Sequence, residues 1–316
     1  MKKHVIFIVG PTAVGKTSLT IELAKALDGE VIYADSMQIY KEMNIGTAKP
    51  SKQEQEGIPH YMIDEIFPDE DFSVADFEVR AKQHIQEILS RGKTPIVSGG
   101  TGLYVNALLY DMDFGKSVSN PSFRNTLKEE SELYGKDYIY QKLQKVDPKA
   151  AEKIHPNNLV KVIRALEINY ETGENLGDFK EDLQLTSEFQ PILIGLNRKR
   201  KNLYERINLR VDIMIEEGLV KEVKRLLEKG YSKELKAFKG LGYKEIIRYL
   251  NGENTLHDAI RILKKNTRRY AKRQITWFKR YDFIKWFLVD RYEKEEVLLN
   301  EVLGYIEKKN KEGIYD

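Results

Sequence analysis

Cysteine is absent from all 316 residues. That absence excludes disulfides, a thiolate nucleophile and sulfur-ligated zinc or iron–sulfur centres, and it suits a reducing cytoplasm, the expected location. Long apolar runs are missing too, since none approaches the roughly 18 residues that a membrane span requires. The early run VIFIV follows two lysines but ends in a glycine loop, so it reads as a first strand rather than a secretory leader. No membrane association is expected. Net charge is small, 52 basic against 49 acidic residues. Acid is missing locally, however: from Arg261 to Arg280, RILKKNTRRYAKRQITWFKR carries nine Lys or Arg and no Asp or Glu, an asymmetry that suits a polyanionic partner. There is no repeat at solenoid periods.

The residues present, 41 % of them apolar, are enough to bury a core without staples. Residues 5–9 read as a strand, and PTAVGKTSLTIELAKALDG as a glycine turn running into a helix with Leu19, Leu23, Ala26 and Leu27 at helical spacing. EVIYA is a second strand, residues 59–77 read as irregular, FEVRAKQHIQEILSRG as a helix, and TPIVSGGTGLYVNALLY as strand, tight turn and helix. Strands alternating with helices predict an α/β fold with a parallel sheet. The pattern resumes with a strand at residues 191–198. The expected organisation is therefore a core of residues 1–114 and 191–316 with a helical insertion at 115–190, and a tail at 307–316 that frays.

GPTAVGKT, the residues Gly10, Pro11, Thr12, Ala13, Val14, Gly15, Lys16 and Thr17, matches G-x-x-x-x-G-K-[ST] between a predicted strand and helix. Its glycines let successive N–H groups converge on phosphate oxygens, Lys16 adds a mobile cation, and Thr17 can ligate Mg²⁺. The motif does not say what carries the phosphates. Two more polar turns follow predicted strands, DSMQ after VIYA and GGTGLY after TPIVS, so Asp35 and Thr101 are expected above Lys16, where α/β proteins build their sites. Each also has a plainer reading as a helix cap, and VIYAD could supply a Walker B acid. These residues alone leave an ATP-dependent kinase open, with Asp35 activating a hydroxyl. They equally leave open an RNA-binding protein that uses a nucleotide as a switch.

GPTAVGKT, DSMQIYKEMNIGTAKP, PHYMID, SVADF, GGTGLY, IHPNNLVKVIRALE, GYKE and TRRYAKRQITWF occur in this order between residues 10 and 278, and together the chain resembles the tRNA dimethylallyltransferases. The resemblance implies a P-loop kinase-like core with a helical insertion contacting the anticodon stem-loop. It implies transfer of a dimethylallyl group from dimethylallyl diphosphate to N6 of adenine 37 in tRNAs reading codons that begin with U, so the loop would hold diphosphate. By the same resemblance Asp35 is the base for the poorly nucleophilic amine, and Thr101 donates to the bridging oxygen. Lys16, Thr17, Mg²⁺ and an arginine, Arg210 with Arg206 in reserve, form the diphosphate clamp. Ser36, Met37 and Gln38 match positions that contact the target nucleotide, Met37 being the one suited to packing.

Asn158, Lys161 and Arg164 fall in an RNA-contacting segment, which departs from the family form at Asn158, Val160 and Lys161. In the basic segment, Arg269 and Arg273 share a helix face suited to phosphates, while Ile262, Thr267 or Tyr270, and Trp277 can point inward. The absence of cysteine resembles the short bacterial type without a zinc finger. One asymmetric RNA at one site requires only a monomer.

Overall fold

The computed structural model describes residues 3–112, 120–175 and 184–312. They form two compact units, Met1–Tyr110 with Thr186–Asp316, and Asp111–Leu185. In chain order the larger unit has β1 (His4–Val9), α1 (Lys16–Ala26), β2 (Gly29–Ala34), β3 (His60–Tyr61), α2 (Val74–Ser90), β4 (Thr94–Gly99) and α3 (Gly102–Leu109). The smaller unit follows with α4 (Pro121–Tyr134), α5 (Lys136–Val146), α6 (Pro148–Lys153) and α7 (Leu159–Thr172). The larger unit then resumes with β5 (Gln190–Asn197), α8 (Arg200–Glu216), α9 (Leu219–Glu228), α10 (Tyr243–Leu250), α11 (Leu256–Phe278), β6 (Lys285–Leu288) and α12 (Glu295–Glu312).

The described strands form one parallel sheet in the order β3-β2-β4-β1-β5-β6. Val5 to Val9 are at most 1 % exposed, the continuous apolar run expected of a parallel strand covered on both faces. The chain leaves β1 for β2, beyond β4, and later returns to β5 on the other side of β1. Crossovers in opposite directions open a crevice at the C-terminal ends of the central strands, where α/β folds bind ligands.

Several local expectations change. The segment read as irregular contains β3, two residues paired with Val31 and Ile32, and the start of α2. Ser73 caps that helix in a capping box: its hydroxyl accepts the Asp76 N–H at 3.2 Å, and its own N–H donates to the Asp76 carboxylate at 2.9 Å. β6, unassigned from sequence, pairs with Ile194 to Asn197. Edge strands of two to four residues are too short to show a period. The tail expected to fray is helical to Glu312, because Val302 and Ile306 are buried, and residues 313–316 lie outside the described residues. The domain boundary expected at 114/115 also lies outside them. The larger unit resumes at Thr186, ahead of residue 191, since Phe189 is buried with its ring 6.1 Å from that of Phe7.

In the smaller unit Leu127, Ile139, Leu143, Val162, Ile163 and Leu166 form the core. Fully buried among them, Glu167 accepts two Arg124 hydrogen bonds at 2.6 and 2.8 Å and the Asn120 N–H at 2.8 Å, and it pairs with Arg164. Burial pushes this carboxyl up, but the hydrogen bonds of Arg124, Asn120 and Arg164 outweigh it and hold the group below the usual carboxylate range. Its contribution to stability is therefore present above the unfolded value and lost as pH falls through the lower folded one. Arg124→Ala is expected to destabilise the unit by about 1.5–3 kcal/mol, read as a lower urea midpoint at neutral pH, with the difference shrinking in acid.

Candidate active site

The loop after β1 is shaped by backbone that only particular residues tolerate. Gly10 has φ +150°, and a Cβ there would lie 2.5 Å from the Leu196 carbonyl oxygen. Ala13 takes φ +63°, a left-handed conformation that costs free energy outside glycine and is held here by outside contacts. Arg206 Nε donates to the Ala13 carbonyl and Arg198 Nε to that of Val14, both at 3.0 Å. With these carbonyls turned to arginines, Lys16 Nζ donates inward to the carbonyls of Gly10 and Pro11 at 3.0 Å each. Burial lowers the Lys16 pKa to about 8; Asp35 opposes the shift and Arg210 adds to it.

Lys16, Thr17, Asp35, Gln38 and Arg210 line one cavity of about 1100 Å³, together with Ser98, Gly99, Tyr270 and Gln274. Asp35, just past β2, accepts the Met37 N–H on Oδ1 at 2.9 Å, so it caps a turn and also faces the cavity. The Thr101 hydroxyl accepts the Ser36 N–H at 3.1 Å, and the Thr101 N–H donates to the Ala34 carbonyl at 3.1 Å, tying the ends of β2 and β4 together. Met37 packs against the core. Arg210 donates to the Ala48 carbonyl at 3.2 Å; burial lowers its pKa, and Asp35 opposes that shift. Arg206, the reserve candidate, also lines the cavity.

Two groups from α11 complete the site, and neither was singled out for it from sequence. Gln274 accepts the Thr12 N–H at 2.9 Å and donates to the Gly100 carbonyl at 2.9 Å, bridging the phosphate loop to the turn after β4. Tyr270 lines the cavity with Gln274; burial, then Asp35, raise its phenol to about 12, with Thr101 and Gln274 opposing the shift, so it stays neutral. Their i, i+4 spacing marks a common face, but spacing alone does not say which face of a basic helix docks. On the same helix Arg269 and Arg273 are exposed, with the Arg273 guanidinium 5.6 Å from the Tyr270 ring centre. Trp277 is half-buried, its indole N–H donating to Asn106 at 3.4 Å, in keeping with packing. Gln274→Ala is expected to weaken pyrophosphate binding about tenfold by freeing Thr12, measurable by calorimetry, with RNA affinity unchanged.

Asn158, Lys161 and Arg164 belong to the smaller unit. Asn158 caps α7 by accepting the Lys161 N–H at 3.4 Å, and Arg164 pairs with Glu167. Among the described residues no group of three His, Asp or Glu could hold a metal unaided.

A glycine-rich loop, half-buried cations and a carboxylate around one cavity can stabilise a departing anion while accepting a proton from a nucleophile. Residues 38–281 match the model of a family described as IPP transferase. The tRNA dimethylallyltransferase of Alkaliphilus metalliredigens (strain QYMF) is 59 % identical over 308 residues, covering 96 % of this chain and 99 % of the relative. That of Clostridioides difficile (strain 630) is 52 % identical over 307 residues, covering 97 % and 98 %. The crystal structure of the full-length tRNA isopentenylpyrophosphate transferase from Bacillus halodurans superposes with a TM-score of 0.75 at 45 % identity, covering 99 % of this chain and 98 % of that one. A eukaryotic dimethylallyltransferase acting on tRNA gives 0.75 at 36 % identity, covering 87 % and 69 %. The chain belongs to the IPP transferase family, the tRNA dimethylallyltransferases.

Proposed function

We propose that this protein transfers the dimethylallyl group of dimethylallyl diphosphate to N6 of adenine 37 in tRNAs that read codons beginning with U, releasing diphosphate. The observation that supports this reading is that Lys16 and Asp35 line one cavity, a cation suited to the leaving group's charge and a carboxylate suited to accept a proton. Diphosphate lies on the loop N–H groups and draws Lys16 from the carbonyls of Gly10 and Pro11, while Arg210 supplies charge from α8. The carbon–oxygen bond breaks, N6 bonds to the allylic carbon, and the amine proton passes to Asp35. Thr101 donates to the bridging oxygen, with the Ser36 N–H holding its hydroxyl oxygen.

A base stacked in a stem-loop cannot reach this cavity, so adenine 37 flips in, bordered by Ser36, Met37 and Gln38. Phosphates of the RNA pair with Arg269 and Arg273, and Asn158, Lys161 and Arg164 form the insertion's contact with the anticodon stem-loop. Thr17, a hydroxyl in the cavity beside Lys16, suits Mg²⁺ that takes its other ligands from diphosphate and water, as that ion prefers. Bound there, Mg²⁺ would neutralise diphosphate charge. The enzyme acts as a cytoplasmic monomer, since tRNA is found there and one site serves one RNA. No described helix is long and apolar enough to cross a membrane.

The test incubates pure protein, Mg²⁺ and radiolabelled dimethylallyl diphosphate with an unmodified anticodon stem-loop and with a version lacking adenine 37. Label in the first RNA alone supports the proposal. No label, with ATP phosphate reaching a small acceptor instead, replaces it with a kinase.

A further inference from the structure

Asn44, Ile45, Thr47, Ala48 and Lys49, within DSMQIYKEMNIGTAKP, form part of the cavity wall, and a carboxylate from a distant helix ties the segment down. Glu222, on α9 and only 6 % exposed, accepts the N–H groups of Asn44 and Ile45 on Oε2 at 2.9 Å each. Its Oε1 accepts the Gly46 N–H at 3.1 Å and the Tyr243 hydroxyl at 2.7 Å. Donors surround both oxygens, a pattern that suits an ionised carboxylate and not an amide. The wholly buried Tyr243 lies so close to Gly46 that a Cβ there would come within 2.5 Å of its ring.

The held segment in turn orients a group of the site. Gln38 Nε2 donates to the carbonyls of Thr47 and Ala48 at 3.2 Å each. Two carbonyl acceptors fix which end of that amide is nitrogen, and the other end, Oε1, is buried without a partner in a residue of the cavity wall. A buried acceptor left open is costly unless a bound molecule supplies the donor.

We propose that Glu222 and Tyr243 are positioning residues for the transfer reaction, holding residues 44–48 so that the Thr47 and Ala48 carbonyls turn the Gln38 amide oxygen into a fixed acceptor for an N–H of the substrate base. The inference rests on the proposed function and adds to it the means by which a base bearing an exocyclic amine is oriented. Neither residue touches substrate; each acts through the backbone of the strap.

The test is a double-mutant cycle on the full-length enzyme, measuring kcat, KM for the stem-loop, pyrophosphate affinity and Tm. Glu222→Gln is expected to lower kcat/KM for the RNA about ten- to a hundredfold, and Tyr243→Phe about threefold to tenfold, with pyrophosphate affinity falling less than about threefold, the share carried through the Ala48 carbonyl that Arg210 bonds. On a Gln38→Ala background, either change should cost less than about threefold, because the group it positions is gone. Should Glu222→Gln fail to fold, Tyr243→Phe carries the cycle alone. Full additivity with Gln38→Ala, or an equal loss of pyrophosphate affinity, overturns the inference while a labelled product from the parent leaves the proposed function standing. A parent enzyme that transfers no label overturns both.

Discussion

Asp35→Asn should lower single-turnover transfer by about 10²- to 10⁴-fold, the range for removing a general base, while RNA affinity stays within about twofold. Asparagine is the informative replacement because in the proposed reaction Asp35 has two tasks. Its Oδ1 accepts the Met37 N–H, and an amide oxygen can keep that bond and the turn it closes. Only the capacity to take a proton is lost, so the fall in rate reports chemistry rather than a collapsed turn. Asp35 also supports the protonated form of Lys16, so its neutralisation lowers that lysine further. Pyrophosphate affinity of the variant is best compared well below pH 7, since this second effect shrinks steadily as pH falls below the lysine's pKa. A loss below about tenfold would assign proton acceptance to another group.

Lys16→Ala is expected to cost about 10²- to 10³-fold in kcat, the scale of removing one preorganised charge from a developing anion, together with most pyrophosphate binding. RNA affinity, carried by other surfaces, should hold. The parent enzyme offers an independent check through pH. Burial lowers the Lys16 pKa to about 8, and in the proposed reaction its ammonium form would hold diphosphate. Affinity for pyrophosphate should then be level below about pH 8 and weaken above it by up to about tenfold per pH unit, with a proton taken up on binding that calorimetry in buffers of different ionisation heat will register. Arg210→Gln removes a cation that depresses Lys16, so the break should move to higher pH even as overall affinity falls.

What was legible in the sequence is what neighbouring residues carry. GPTAVGKT holds its own geometry in consecutive backbone groups, and the strand-end positions of Asp35 and Thr101 follow from the short apolar runs before them, although Asp35 lines the cavity and Thr101 is not among its lining residues. In a parallel sheet those ends must lie on one side. The helical period of the smaller unit and the family motifs were likewise local.

Tertiary structure alone decided the rest, because those contacts join residues far apart in the chain. Gln274 bonds Thr12 across 262 positions, and Glu222 bonds Gly46 across 176. Helical spacing set Arg269 and Arg273 on the outer face of α11 and left Thr267 or Tyr270 to point inward, but it could not say that Tyr270 and Gln274 reach the cavity. Arg210 was one of two arginines at equivalent spacing; both line the cavity, one bonded to Ala48 and the other to Ala13. β3 and β6 depend on partners rather than propensity, since strands so short gain their hydrogen bonds only from a sheet that already exists. The sequence by itself determined the phosphate loop, the acid and the hydroxyl at neighbouring strand ends; folding determined which distant carboxylate, amide and phenol hold them, since a hydrogen bond between distant residues leaves no periodic trace in the chain.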